Sequence, residues 1–239
     1  MRKFPYLGLL LLAACAAKPI AAPTTPPPAS PPNPVGLSAP PASALTPEQI
    51  QKAEALRAEA IQLLYSKDPA VKNPRLAYDK FLAAAEIGDP ISMDHVGGFH
   101  STGSAGVEKS CPKALSWFEK SAFAGYPMAM NNLAYTLVTC PDLKLRDPEK
   151  AEDLLKFLFL NSEGYFAWLD TYAAVLAAQG RFPQAARTLD VVIDLVSLVG
   201  GNPERIDEMK KARAAYRRKK TLPDASHSDP SNFKKRSKQ

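Results

Sequence analysis

Residues 111–134 read CPKALSWFEKSAFAGYPMAMNNLA, and thirty-seven positions earlier residues 74–97 read PRLAYDKFLAAAEIGDPISMDHVG. Laid on one another, the two segments pair Ala77 with Ala114, Phe81 with Phe118, Ala85 with Ala122 and Gly88 with Gly125. Pro90 then meets Pro127, Met93 meets Met130 and Val96 meets Leu133. The same step carries Lys113-Ala114 onto Lys150-Ala151, and a step of 34 carries Ala151 and Leu155 onto Ala185 and Leu189. Self-similarity with a period in this range marks stacked supersecondary units. Small residues recur where two helices must approach, and large apolar ones recur at helical spacing.

The repeated positions resemble the Sel1-like and tetratricopeptide families over roughly residues 74–199. Gly103, Gly106-Val107, Lys113-Ala114, Trp117-Phe118, Ala122, Gly125, Ala129 and Leu133-Ala134 follow the Sel1-like pattern. Leu169, Tyr172-Ala173, Leu176, Gly180, Ala185 and Leu189 look like a tetratricopeptide unit. His100 and Ser101 interrupt the first loop of that pattern, and no proline closes the hairpin near Ser197. The resemblance implies an all-α fold, an α-solenoid of antiparallel helical hairpins whose first helices line a concave surface.

Local signals place the helices. Thr46-Pro47-Glu48-Gln49 offers an N-cap, a proline in the first turn and a capping-box Gln. Pro74, Pro112, Pro148, Pro183 and Pro203 stand where other helices should begin, and a missing N–H costs little there. Helices are expected near 47–66, 74–87, 90–101, 112–124, 127–140, 148–160, 165–179, 183–199 and 203–218. Ile206, Met209, Ala212 and Tyr216 give the last helix a stripe that can seal the end of the stack. No segment alternates with period two, so no sheet is expected.

The two ends of the chain differ from its middle. Arg2 and Lys3 precede an apolar run from Tyr6 to Ala14, which closes on Leu12-Ala13-Ala14-Cys15. A basic start and a short apolar stretch describe a signal segment too short to span a bilayer. The last four residues resemble the lipobox of bacterial lipoproteins. That resemblance implies cleavage after residue 14, acylation of Cys15 by long chains such as palmitate, and stable attachment to a membrane. Ala16 stands where an inner-membrane retention signal would often place Asp, which favours the periplasmic face of the outer membrane. From Pro19 to Pro47 there are eleven prolines in 29 residues, a composition that suits an extended solvated spacer. The expected organisation is a signal peptide (1–14), a lipidated cysteine with a proline-rich linker (15–46), a helical-repeat domain (47–220) and a disordered basic tail (221–239).

The formal net charge is +6, but it is concentrated. From Arg205 to Gln239 twelve Lys/Arg stand against four Asp/Glu. In an envelope location such a tail suits anionic glycans or lipid headgroups; nucleic acid is not expected there.

Cys111 and Cys140 are the only cysteines besides Cys15. They fall at the start of one expected helix and the end of the next, and antiparallel neighbours bring such ends together. A disulfide is expected in an oxidising compartment, with two buried thiols as the alternative. His95 and His100 lie five apart and share no helical face, and no third ligand stands at metal spacing. No metal or cofactor is expected. In the repeat register the inward positions would include Asp94, His95, Asn131, Asn132, Tyr135, Asp170 and Thr171. Paired Asn side chains can both donate to and accept from an extended backbone. The alternative for these residues is a set of solvated helix faces.

The expected function is that of an envelope lipoprotein serving as a protein–protein scaffold for an unidentified envelope partner, and not an enzyme. The alternative is an enzyme or enzyme accessory acting on cell-wall or exported polysaccharide. Asp94, His95 and Asp170 would be its only members.

Overall fold

Proline stands in the first turn of nearly every helix of the chain. In the computed structural model, which describes residues 45–161 and 168–221, these are α1 (Pro47–Tyr65), α2 (Pro74–Ile87), α3 (Pro90–Thr102), α4 (Cys111–Phe123), α5 (Pro127–Thr139), α6 (Pro148–Asn161), α7 (Leu169–Ala178), α8 (Phe182–Leu198) and α9 (Pro203–Arg217). Contacts divide the chain into the units Met1–Pro31 and Pro32–Gln239, and the described residues belong to the second. The described residues hold these nine α-helices, one 3-10 turn at Leu143–Leu145 and no strand. Two helices begin one residue before the expected proline, at Cys111 and Phe182, so their prolines occupy the second position. The expected start of α7 near 165, the signal peptide, the linker and the basic tail lie outside the described residues.

Six of these nine starts are closed locally by a side chain, those of α5, α7 and α8 being the exceptions. Thr46 Oγ1 accepts from Gln49 N at 3.2 Å and Gln49 Oε1 accepts from Thr46 N at 2.8 Å, completing the capping box. Asn73, Asp89, Ser110, Asp147 and Asn202 cap α2, α3, α4, α6 and α9 through their side chains. The 3-10 turn rests on Asp142, whose carboxylate accepts from Lys144 N at 3.0 Å. Three residues carry no readable period, and the pattern in the sequence passed over it.

Helices adjacent in sequence pack on one another throughout, and α5 also touches α3 and α7. The core therefore runs in three consecutive sections. The first gathers Ala60, Leu64, Ala77, Tyr78, Phe81, Val96 and Phe99. The second gathers Ala114, Phe118, Leu133, Leu137, Leu154 and Leu158, and the third Leu176, Ala185, Leu189, Met209 and Tyr216. Alanines and one glycine make the close approaches possible. A Cβ on Gly97 would stand 2.7 Å from the Phe118 ring, so α3 and α4 meet through a residue without a side chain. Trp168 is buried, whereas Trp117 is only half-buried and takes the Lys120 ammonium over its ring at 4.2 Å. No described helix is long and apolar enough to cross a membrane.

Candidate functional site

The register that aligns Leu133-Ala134 with Val96-Gly97 and with Tyr172-Ala173 also aligns two preceding positions on three helices. The first position carries Asp94 on α3, Asn131 on α5 and Asp170 on α7; the second carries His95, Asn132 and Thr171. All six are buried, at 1, 1 and 6 % exposure for the first position and 5, 5 and 1 % for the second. Tyr135, one turn beyond Asn132, is buried as well. The picture of solvated helix faces is therefore corrected: these polar side chains sit inside, where each one needs a partner or costs free energy.

Neighbouring helices supply many of those partners. Asn132 Nδ2 donates to Asp94 Oδ1 at 2.9 Å and joins α5 to α3. Asp170 Oδ2 accepts from Arg205 Nη2 at 2.7 Å, joining α7 to α9, while its Oδ1 accepts from Thr171 N at 2.9 Å. Asp89 caps α3 through Ser92 N at 2.8 Å and also receives the Arg57 guanidinium of α1. Thr136 and Thr139 turn their hydroxyls back onto the carbonyls of Asn132 and Tyr135, at 2.7 and 2.8 Å. The Asn131 Oδ1, Thr171 Oγ1 and Ser92 Oγ atoms, all buried, meet no hydrogen-bond partner among the described residues.

His95 stacks on Phe81 with ring centroids 4.1 Å apart. Burial, helped by the positive charge of Arg57, lowers its pKa to about 3. It is neutral near pH 7 and a weak base, since a general base works best with a pKa near the working pH. The Tyr126 phenol is pushed up to about 12 by burial, with the Asp94 carboxylate adding to the effect. His100 is a separate case. Its Nδ1 donates to the Glu108 carbonyl at 3.2 Å, which leaves Nε2 to accept from the Tyr78 hydroxyl at 3.4 Å. It therefore ties α2, α3 and the loop before α4 together and stands apart from His95.

Cys111 and Cys140 meet as a disulfide, with sulfurs 2.09 Å apart and Cα atoms 6.0 Å apart. The bond joins the start of α4 to the residue that ends α5, so these two helices run antiparallel. A cleft of about 390 Å³ opens beside it, lined among others by Ser101, Lys109, Thr136 and Asp142. Among the described residues no group of three or more His, Cys, Asp or Glu is arranged to hold a metal ion.

The long-range partners Arg57, Asp89 and Arg205 were not legible as site residues. They pair across separations of 32 and 35 residues and occupy no repeat position, so periodicity carries no trace of them. The arrangement offers a run of amide, hydroxyl and carboxylate groups on three helices, held from α1 and α9 by two arginines. No family model, no curated protein and no solved structure matches the chain.

Proposed function

We propose that this chain is a lipid-anchored scaffold of a bacterial cell envelope, tethered through Cys15 and built as a Sel1-like or tetratricopeptide-like solenoid. Its partner is another envelope protein, held along the row that Asp94, His95, Asn131, Asn132, Tyr135, Asp170 and Thr171 define. The observation that carries this reading is the recurrence of buried polar side chains at two repeat positions on α3, α5 and α7. Two of them, Asn131 Oδ1 and Thr171 Oγ1, meet no hydrogen-bond partner among the described residues. A buried, unpartnered polar atom costs about 1–3 kcal/mol; at 1 % exposure Asn131 and Thr171 are out of reach in the closed fold, so a peptide backbone would recover that bond only as the inner face opens onto it. The core in three consecutive sections supports the repeat reading, since each unit in such arrays contacts mainly its neighbours. Leu12-Ala13-Ala14-Cys15 supports the anchor, and the proline spacer gives the anchored domain reach.

The test uses a photocrosslinker at Met128, one turn before Asn131-Asn132 and only half-buried, in cells that make the native chain. A specific adduct with another envelope protein is expected, and it should disappear with Asn131→Ala at a temperature where circular dichroism shows the variant still folded. No adduct, or one indifferent to Asn131→Ala, overturns the reading. Palmitate labelling checks the anchor separately: Cys15→Ser should abolish the label and release the chain from membranes.

A further inference from the structure

The outer face of α8 carries an apolar row that none of the described residues covers. Val191, Leu195 and Leu198 are 53, 36 and 83 % exposed, and their spacing of four and seven residues sets them on one side of the helix, with the C-cap residue Val199, 69 % exposed, just beyond them. The opposite side, with Ala185, Ala186, Leu189, Val192 and Ile193, is the one buried against the core. Large apolar side chains exposed together mark a contact surface better than scattered ones would.

The neighbouring helix says which partner fits. Arg213 and Arg217 both reach Asp190, at 2.7 and 3.0 Å, which lays the last turns of α9 beside the middle of α8. Along α9 and just beyond it the exposed charges are segregated: Glu204, Asp207 and Glu208 come first, and Lys210, Lys211, Arg217, Arg218, Lys219 and Lys220 follow, while Arg205 is taken up by Asp170. A surface with an apolar centre, one acidic end and one basic end is complementary to itself under a two-fold rotation.

We infer that the α8–α9 face binds a second copy of this chain. With the axis crossing α8 near Leu195, the two apolar rows lie antiparallel on one another. The acidic start of α9 in each copy then falls on the basic end of α9 in the other. An anionic membrane would match the basic end alone and would be repelled by the acidic one. The inference is independent of the anchor and of the polar row, because it uses neither Cys15 nor α3, α5 and α7.

The test is sedimentation equilibrium on chain 16–239, which keeps every described residue. A monomer–dimer equilibrium is expected, weakened about tenfold or more by Leu195→Ser/Leu198→Ser. Two charge-reversed variants supply the control for folding. Glu204→Arg/Asp207→Arg makes both ends basic, and Arg218→Glu/Lys219→Glu/Lys220→Glu makes both acidic. Each alone should dimerise poorly, and the two mixed should form a heterodimer at least as readily as the native chain dimerises. A native chain that stays monomeric at its highest soluble concentration overturns the inference, as does a dimer insensitive to the Leu195/Leu198 change. So does a mixture that fails to pair. A monomer that binds phosphatidylglycerol vesicles through the apolar row would assign the face to a membrane and overturn it too.

Discussion

The inner faces of α3, α5 and α7 and the outer face of α8 invert the usual order of burial. The first hides Asp94, His95, Asn131, Asn132, Asp170 and Thr171; the second exposes Val191, Leu195, Leu198 and Val199. Burying a polar group without a full set of bonds costs free energy, whereas an exposed Leu or Val costs the monomer little. The two faces should therefore respond differently to substitution. Changes to the inner row should be felt in the stability of the isolated chain, and changes to the outer row only in its associations.

The hairpin that carries Asn131 and Asn132 is the one closed by a disulfide, and opening it should have the largest effect. Cys111→Ser/Cys140→Ser frees a loop spanning 29 residues, and a loss of about 3–4 kcal/mol is expected in a denaturant melt. An indistinguishable melt would show that the packing of α4 on α5 holds the hairpin unaided.

Acid should distinguish the faces next. His95 stays neutral in the folded chain down to about 3, whereas an unfolded histidine takes up its proton near 6.5. Between those values the unfolded chain binds more protons, so the stabilisation is complete above pH 6.5 and is lost as pH falls toward 3. The slope should approach roughly 1.4 kcal/mol per pH unit in the middle of that window. His95→Phe, which keeps a ring on Phe81, should flatten it; a slope unchanged in that variant would assign the acid sensitivity to other groups.

Smaller again is the Asn132–Asp94 bond. Asp94→Ala should destabilise the chain by about 1–3 kcal/mol, because the Asn132 amide is left buried without its acceptor. The double change Asp94→Leu/Asn132→Leu should cost less than the two single changes together, and strict additivity in chemical melts would argue against direct coupling. On the outer face, Leu198→Ser should shift the stability of the dilute monomer by no more than about 0.5 kcal/mol. A larger loss would mean that Leu198 is part of the core after all.

Much of the architecture was legible from residue pattern alone. The step of 37 between 74–97 and 111–134, read with prolines at helix starts, places α1–α6, α8 and α9 within a residue or so of where they lie. That success has a physical cause. Proline in a first turn and Ser, Asn, Asp or Thr before it are local signals, and each described helix packs on its neighbour in sequence. The pairing of Cys111 with Cys140 followed from the same reasoning about antiparallel neighbours. The site was harder. Repeat register picked out Asp94, Asn131 and Asp170, but it said nothing of their burial or of Arg57, Asp89 and Arg205 around them. Ion pairs between helices far apart in sequence depend on the packed fold. The exposed row on α8 was equally hidden, because an amphipathic stripe reads as core until the other stripe of the same helix is seen to be buried.

The comparison of the two faces is tested most directly by parallel photocrosslinking from Met128 and from Leu195 in intact cells. The account predicts an adduct with a different envelope protein from Met128 and an adduct of two copies of this chain from Leu195. The same adduct from both positions, or no heterologous adduct from Met128, would contradict it.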